Sequence, residues 1–412
     1  MNRRFAVLVA CFFAVLISYS VRYAYGVLLP EMLPSLSISK TEAGVIYGSF
    51  FIVYTVSSPL LGMMGDRRDM RPVLTVFCLI LGTGTFLMAY ATSLVQASIF
   101  FALAGIGSSA CWAPVMALAQ RWISDKHKGK TLAFIDIGSA LGIVGGSTLL
   151  PLIVSAQSWR TGWTALGALG FAVALLSFLA VRNRPGEAAK PQPAGQFRNT
   201  RDSLARIYMN LLRDGKFWLI GLAYLLTGFS IIIPFTFLTT YGSQEMGFSY
   251  EAAAKLVMVI GITAVVGKII IGSLSDKIRR INIMIFCALL IAAGCLGMAY
   301  GQGAALVVFT AVFGIGYGVV WSMYAAAASD YFPKESSGSI VGLWTLYLGV
   351  GSTISPIIAG WIADTTGTLM WSFVLAAAGA VISFFLLLPV LRAPLQTYPE
   401  NIMTEKAEAP AE

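Results

Sequence analysis

Charged side chains inside apolar segments are the residues of this sequence best able to do chemistry. Arg22 stands about seventeen residues into an apolar stretch that begins at Phe5. An ionised guanidinium in such a place is unfavourable unless it faces a cavity or a partner. Its planar fork suits a carboxylate or a phosphate, and the hydroxyls of Tyr19 and Tyr23 would complete the binding site. We therefore predict that Arg22 binds an anion; the alternatives are snorkelling toward the headgroups and a structural ion pair.

Asp136 is the one carboxylate that lies well inside an apolar segment. A carboxyl group in this position can carry a proton, bind a cation or pair with a neighbouring side chain. We take proton coupling as the working hypothesis and keep the other two roles open. Lys255 and Lys268 lie nearer the ends of their segment. Snorkelling accounts for Lys255, with an outer-gate or anion-attracting role as the alternative, and topology-setting charge accounts for Lys268.

The sequence offers no set of residues for enzymatic or metal chemistry. Its five cysteines lie in apolar runs without a Cys-x-x-Cys pair, which is typical of small core residues. The single histidine, His127, stands in a charged joint, which argues against a histidine-centred triad or a zinc site. We therefore predict that the protein is not an enzyme and that it holds no cofactor or metal.

The composition indicates that lipid surrounds the chain. Of 412 residues, 57% are hydrophobic and 11% are charged, and the mean hydropathy is +0.78. An average soluble domain has about 25% charged residues, so this chain has too few polar side chains to cover a soluble surface. Twelve apolar segments, from 5–33 to 369–391, are long enough to cross a bilayer as helices. They are too long and too uniformly apolar for barrel strands, so we predict an all-α integral membrane protein.

The placement of the cationic residues orients the predicted spans. If the N-terminus is cytoplasmic, most of the 28 Lys and Arg residues fall in cytoplasmic joints, while the outer joints hold Lys40 and Arg160. This asymmetry predicts that both termini are cytoplasmic. It also accounts for the net charge of +9 without nucleic acid as a partner. The sequence has no N-x-[ST] acceptor, which favours a bacterial inner (plasma) membrane.

The longest joint separates two halves that repeat each other. The run 62–67 (Gly-Met-Met-Gly-Asp-Arg) recurs about 210 residues later as 272–277 (Gly-Ser-Leu-Ser-Asp-Lys), and Gly-Ile-Gly at 105–107 recurs at 314–316. This common offset indicates an internal duplication and hence two pseudo-symmetric six-helix bundles. The predicted units are 1–183, the N-terminal bundle; 184–215, a cytoplasmic central loop with a possible amphipathic helix; 216–393, the C-terminal bundle; and 394–412, a disordered cytoplasmic tail.

The repeated Gly-x-x-x-Asp-[Arg/Lys] pattern, at the inner ends of the second and eighth spans, resembles the signature of the major facilitator superfamily. The resemblance covers essentially the whole chain: twelve spans, a central loop and two copies of the signature. It implies a secondary transporter that alternates between inward-open and outward-open states. It also implies a substrate site between the halves, near the bilayer midplane.

The aspartate of each signature copy lies at the inner membrane face, where helices of the other half begin. A carboxylate near a helix N-terminus is stabilised by about 0.3–1 kcal/mol when exposed, and by more when partly buried. Such a contact between the halves would close the cytoplasmic side. The neighbouring basic residues extend this contact or serve only as topology-setting charge. The residues predicted to form this gate are Asp66, Arg67, Arg71, Arg121, Asp276 and Lys277.

In this superfamily certain spans line the central cavity, and here those spans carry many aromatic residues. Tyr317, Trp321 and Tyr324 fall on one helix face at helical spacing. Packing between helices is the alternative for each aromatic residue taken alone. The predicted substrate-binding residues are Arg22, Tyr19, Tyr23, Trp112, Tyr224, Tyr317, Trp321, Tyr324 and Trp344.

The run 22–30 (Arg-Tyr-Ala-Tyr-Gly-Val-Leu-Leu-Pro) is also similar to the first span of bacterial monocarboxylate and oxalate–formate type transporters. The resemblance implies that Arg22 binds a carboxylate, although the eighth span lacks the cavity-facing Arg, and the Asp near it, that mark that branch. We predict a monomeric, proton-coupled symporter of a small organic anion, a monocarboxylate. The alternatives are an exporter of hydrophobic drugs or metabolites and a receptor-like protein without transport.

Overall fold

A computed structural model describes residues 3–65, 69–123, 128–182, 211–274, 277–332 and 334–393. Within these ranges, only the backbone is described for residues 62–65, 128–130 and 334–339. Nearly all of the described residues are helical. Twelve helical spans are long and apolar enough to cross a membrane. The prediction of an all-α, twelve-span membrane protein is therefore confirmed.

Each half of the chain contributes six of these spans. The first half contains α1 (Arg3–Leu36), α2 (Lys40–Gly65), α3 (Met70–Met88), α4 (Leu94–Ser108), α5 (Ala113–Arg121), α6 (Lys128–Ala156) and α7 (Trp159–Ala180). The second half contains α8 (Gly215–Gln244), α9 (Tyr250–Leu274), α10 (Arg280–Tyr300), α11 (Ala304–Tyr331), α12 (Lys334–Thr366) and α13 (Met370–Leu387), followed by a 3₁₀ turn at Pro389–Arg392. Helices α4 and α5 together form the fourth span of the first half.

Local sequence explains where several helices begin. The side chains of Ser93 and Ser158 accept hydrogen bonds from backbone N–H groups in the first turns of α4 and α7, and Asp214 does the same for α8. These are the residue types that satisfy the free N–H groups of a helix start. Pro114 stands in the first turn of α5, where proline breaks no helical hydrogen bond. The break between α4 and α5 therefore places Trp112 at a helix start inside the membrane.

The two halves have equivalent internal packing. In the first half α3 packs on α4 and α7, and α1 packs on α6; in the second half α10 packs on α11 and α13, and α8 packs on α12. Helices α2 and α12 form one contact between the halves, and α6 and α9 form the symmetry-related one. We call these two contacts the seams. This arrangement agrees with the internal duplication predicted from the sequence.

The chain enters and leaves the bundle at the same face. Arg279, in the joint before α10, donates hydrogen bonds to the carbonyl oxygens of Leu391 and Ala393 near the end of the described chain. At this face Arg71 also donates to the carbonyl oxygen of Phe178. We call it the termini face, and the face with the turn between α1 and α2 the opposite face. The predicted central loop and tail lie mostly outside the described residues, so the unit boundaries stay predictions.

Polar contacts join the two halves at the opposite face. The carboxylate of Asp364 on α12 accepts hydrogen bonds from the backbone N–H groups of Lys40 and Thr41, at 3.0 and 2.8 Å. The Tyr250 hydroxyl on α9 donates to the carbonyl oxygen of Val27 on α1 at 3.0 Å. These polar contacts join the two halves at the start of α2 and near the end of α1.

Glycine permits the closest approach of α1 to α8. A Cβ atom at Gly26 would collide with the backbone carbonyl oxygen of Phe235. Small residues at such positions let membrane helices pack closely, since no hydrophobic driving force pulls them together in lipid. Gly26 therefore brings the segment that follows Arg22 directly against the second half.

Candidate functional site

Arg22 is buried inside the first half, with 8% of its surface exposed. Its guanidinium carbon lies over aromatic rings, 4.5 Å from the ring centre of Tyr54 and 5.1 Å from that of Tyr19. The rings of Phe50 and Phe51 lie at 5.5 and 5.7 Å. Ring faces attract a cation, and more strongly where water is excluded. The rings of α2 thus support the positive charge of α1 without neutralising it.

No fixed anion neutralises Arg22 within the described part of the chain. Its Nε atom has no hydrogen-bond partner, and no described carboxylate lies within ion-pair distance. A buried charge without an opposite charge beside it is unfavourable, so the side chain can gain by binding an anion. Burial also argues against snorkelling, in which the charged group reaches the headgroups. The geometry is that of a cation available to a ligand.

Tyr23, one residue further along α1, connects the site to the second half. Its hydroxyl oxygen is 3.0 Å from that of Tyr317 on α11. Its ring centre is 4.0 Å from that of Phe235 on α8. Both tyrosines are almost fully buried. The site around Arg22 therefore adjoins the boundary between the halves.

Further aromatic rings extend this contact on both sides. Ring centres of Tyr19 and Trp112 are 5.7 Å apart in the first half. In the second half those of Tyr317 and Trp321 are 6.1 Å apart, and those of Trp321 and Tyr224 are 5.9 Å apart. We define the aromatic cluster as Tyr19, Tyr23, Trp112, Tyr224, Tyr317, Trp321 and Tyr324, the last stacked on Tyr224. The structure thus brings most of the predicted substrate-binding residues together.

Trp344 lies apart from the aromatic cluster. It is fully buried, and its Nε1 donates to the carbonyl oxygen of Phe217. Its described ring contacts are with Phe217 and Phe332, near the termini face. Since its polar atom is already bonded and its ring is enclosed, the geometry gives no support to its predicted role in substrate binding.

Asp136 forms an ion pair that the sequence did not reveal. Its Oδ2 lies 2.6 Å from Nζ of Lys268, so the pair joins α6 to α9 across one seam. Ser139 also donates to Asp136 Oδ1 at 3.3 Å. Both charged side chains are roughly a third exposed. Lys268 therefore has a specific partner and is more than a topology-setting charge.

The residues predicted to form the cytoplasmic gate are described only in part. Asp66, Arg67 and Asp276 lie outside the described residues. Arg71 contacts its own half: its guanidinium carbon lies 4.2 Å from the ring centre of Phe178 on α7. Arg121 ends α5, and Lys277 is exposed in the joint after α9. The gate stays a prediction.

Sequence reasoning missed the rings of α2 that surround Arg22. A signal was present, because Phe50 and Tyr54 are four residues apart and so share a helix face. Nothing in the sequence indicates that this face meets α1. In the described residues, no group of three or more His, Cys, Asp or Glu side chains could hold a metal ion.

Comparison with known proteins identifies the family. Residues 11–346, and again 256–411, match the Major Facilitator Superfamily. The chain belongs to this superfamily. As a member, it belongs among transporters and not enzymes, as the sequence predicted. Its multi-pass membrane character is likewise confirmed.

Curated relatives of this superfamily member align over almost its whole length. The "Hexuronate transporter" of Bacillus subtilis is 24% identical, with 96% of this chain and 97% of the relative covered. The "Membrane sensor protein UhpC" of Salmonella typhimurium is 25% identical, with 92% and 90% covered. The "Monocarboxylate transporter 4" of Rattus norvegicus is 24% identical, with 97% and 87% covered.

Solved structures show the same fold at lower identity. The nucleoside transporter NupG has a TM-score of 0.75 at 15% identity, with 95% of this chain and all of that chain covered. A bacterial homologue of the human lysosomal transporter Spinster, inward-facing and occupied, has a TM-score of 0.75 at 16% identity, with 95% and 97% covered. Two bundles of six helices are therefore shared with known transporters.

Proposed function

We propose that this superfamily member is a secondary transporter of a small organic anion and that Arg22 supplies the counter-charge. One observation carries the proposal: the buried Arg22, with 8% of its surface exposed, has no described carboxylate partner and adjoins the boundary between two six-helix bundles. A site between bundles becomes accessible from either side when the bundles rock. An anion there would neutralise the charge that the fold leaves unmatched.

The names of two relatives support a carboxylate as the anionic group. A hexuronate and a monocarboxylate, the substrates named for those relatives, both carry a carboxylate. A guanidinium binds this group with two parallel hydrogen bonds. A monocarboxylate is therefore the finer form of the proposal.

Proton coupling is proposed to act through Asp136. Protonation of its carboxylate would remove the ion pair with Lys268 and so weaken the seam between α6 and α9. Proton uptake would then favour movement of one half against the other. We further propose that the protein is a monomer of the bacterial inner membrane, with the termini face toward the cytoplasm, as the distribution of Lys and Arg indicates.

Transport by the purified protein in liposomes tests the proposal. Uptake of radiolabelled monocarboxylates is measured for the wild type, for Arg22→Gln and for Arg22→Lys. We expect Arg22→Gln to lower uptake by at least about a hundredfold, since a buried charged hydrogen bond is lost, and Arg22→Lys to recover part of it. Lys255→Gln is the matched control, because Lys255 is an exposed cation within a span. Equal uptake by Arg22→Gln and wild type would reject the proposal.

Export of hydrophobic compounds is the second candidate, and the aromatic cluster is the observation that favours it. Stacked rings can bind apolar drugs without a counter-charge. In that case loss of the gene would increase drug susceptibility, and Arg22→Gln would still restore resistance. Anion transport that depends on Arg22 would exclude this alternative.

A further inference from the structure

The charges inside the membrane-spanning helices indicate the valence of the ligand. Apart from the first and last two residues of each span, three cationic residues lie within the spans: Arg22, Lys255 and Lys268. Lys255 is exposed, and Lys268 is bound to Asp136 at 2.6 Å. In the part of the chain that the structure describes, Arg22 is thus the buried cation without a carboxylate partner. The site offers one positive charge, which one negative charge on a ligand would match.

A second negative charge on the ligand would have no matched partner there. Removing a charge from water into a medium of low dielectric constant is strongly unfavourable unless a partner compensates it. Lys268 does not serve as that partner while Asp136 holds it. The charges therefore favour a monovalent anion over a divalent one.

Three of the five tyrosine hydroxyls in the aromatic cluster, those of Tyr23, Tyr317 and Tyr324, form hydrogen bonds within the protein. Tyr23 and Tyr317 share a hydrogen bond across the halves. The Tyr324 hydroxyl lies 3.0 Å from that of Thr227. A polyhydroxylated ligand needs partners for its buried hydroxyls, and these side chains would have to give up existing bonds to supply them. The cluster is therefore poorly suited to sugar acids.

In place of hydroxyl groups, the aromatic cluster offers a ligand the surfaces of its rings. Tyr19, Trp112 and Trp321 are each partly exposed, whereas Tyr23 and Tyr317 are closed off. Partly exposed aromatic rings bind flat apolar groups by offset stacking or edge contact. Trp112 and Trp321 stand on different halves, so a flat ligand between them would contact both bundles.

We propose that the preferred ligand is a monovalent carboxylate with a flat apolar body, the chemical class of benzoate. The proposal rests on the proposed function, because the carboxylate is placed on Arg22. The ring of the ligand packs against Tyr19, Trp112 and Trp321. The carboxylate then meets the positive charge that has no carboxylate partner in the described residues, and the apolar body meets partly exposed rings.

Equilibrium binding to the full chain in lipid nanodiscs tests this ligand class. The probes are benzoate; phthalate, which adds a second carboxylate to the same ring; glucuronate, which replaces the ring by a hydroxylated one; and acetate, which has no ring. We expect benzoate to bind at least about tenfold more tightly than phthalate or glucuronate. Trp321→Leu should weaken benzoate binding by about fivefold or more and leave acetate binding unchanged. The matched control is Trp361→Leu, since Trp361 is 58% exposed on the outside of α12.

The possible outcomes separate this proposal from the proposed function. Phthalate or glucuronate binding as tightly as benzoate, with Arg22→Gln abolishing it, would overturn the ligand class and leave the role of Arg22 intact. An equal loss of acetate and benzoate binding in Trp321→Leu would overturn the placement of the ring. Anion binding that is the same in wild type and Arg22→Gln would overturn the proposed function itself.

Discussion

Arg22 illustrates how one side chain can serve binding at the expense of stability. Its guanidinium is held by the rings of Tyr19 and Tyr54 and by no described carboxylate. A cation–ring contact contributes about 0.5–2 kcal/mol, which is less than the loss of hydration for a fully buried charge. The unliganded protein therefore carries an unfavourable charge that an anion would relieve.

Replacing this charge by an apolar side chain of similar length is expected to stabilise the unliganded protein. Arg22→Met should raise the free energy of unfolding by about 1–3 kcal/mol, because a buried charge without an anion is removed. The same variant should gain no stability from an added carboxylate ligand, whereas the wild type should. Thermal unfolding in detergent, with and without benzoate, measures both effects. Lys255→Met should stay within about 0.5 kcal/mol of wild type, since Lys255 is exposed; a less stable Arg22→Met protein would contradict this reasoning.

The sequence identifies candidate residues but not the side chains that they contact. Arg22 and Asp136 stand out because charge is rare in apolar segments, so position alone identifies them. Lys268 as the partner of Asp136 did not follow, since the two are 132 residues apart and nothing local records which helices adjoin. The rings of Phe50 and Tyr54 were missed for the same reason. Hydropathy indicates which residues form a membrane-spanning helix. Tertiary packing decides which face of that helix contacts the site.

Pairs of helices turn these residues into contacts between the halves. The seam of α6 and α9 contains both the ion pair of Asp136 with Lys268 and a close approach of Gly261 to Ile143. Packing is close at Gly261, and charge holds the helices together further toward the termini face. By hydropathy, residues 95–122 form one apolar segment, in which Pro114 predicts a kink. Turn residues at 109–112 interrupt it inside the membrane.

The ion pair between α6 and α9 predicts a characteristic pattern of mutant stability. Asp136→Asn leaves the partly buried Lys268 without its anion, and Lys268→Met leaves Asp136 without its cation. Each variant should therefore lower the free energy of unfolding by about 1–3 kcal/mol. The double variant should recover most of that loss. Denaturant or thermal unfolding of all four proteins measures the coupling. Additive losses in the double variant would show that the two side chains do not interact.

The close approach of α1 to α8 at Gly26 leads to a second prediction. Gly26→Ala places a methyl group against the carbonyl oxygen of Phe235, so the helices must separate. We expect transport to fall by at least about tenfold and the free energy of unfolding by about 1–3 kcal/mol, as for other overpacked sites. Gly145→Ala is the control, since a Cβ at Gly145 has nothing within 4 Å. Normal transport by Gly26→Ala would show that the close approach is dispensable.

The seam between α2 and α12 has one end at each face of the molecule. Helices α2 and α12 run antiparallel, so the end of each lies beside the start of the other. At the opposite face, Asp364 near the end of α12 accepts hydrogen bonds at the start of α2. By sequence, Asp66 follows the end of α2, and its contact with a helix start of the other half stays a prediction. The duplication and the span count were predictable from hydropathy and repeated motifs, whereas the contact of Asp364 depends on tertiary structure.

This relation predicts that Asp364 favours the state in which the opposite face is closed. Its carboxylate bonds to the N–H groups of Lys40 and Thr41 and to the Thr41 hydroxyl, and it lies at the positive end of α2. Asp364→Ala removes these bonds, and a shift of about 1–2 kcal/mol toward the state open at that face is expected. Spin labels on Gln157→Cys and Gln244→Cys, exposed positions at that face in different halves, report the change as a larger population of long distances. The native cysteines are buried and stay unlabelled.

Ser93→Ala is the control that separates loss of the contact between the halves from loss of a helix cap in general. Ser93 caps α4 within the first half at the same face, so its removal weakens a helix start without touching a contact between the halves. We expect its distance distribution to match that of the wild type. Identical distributions for Asp364→Ala and wild type would show that the cap across the halves does not control opening. A shift in Asp364→Ala alone would mean that closure of the opposite face depends on a carboxylate of one half bound to a helix start of the other.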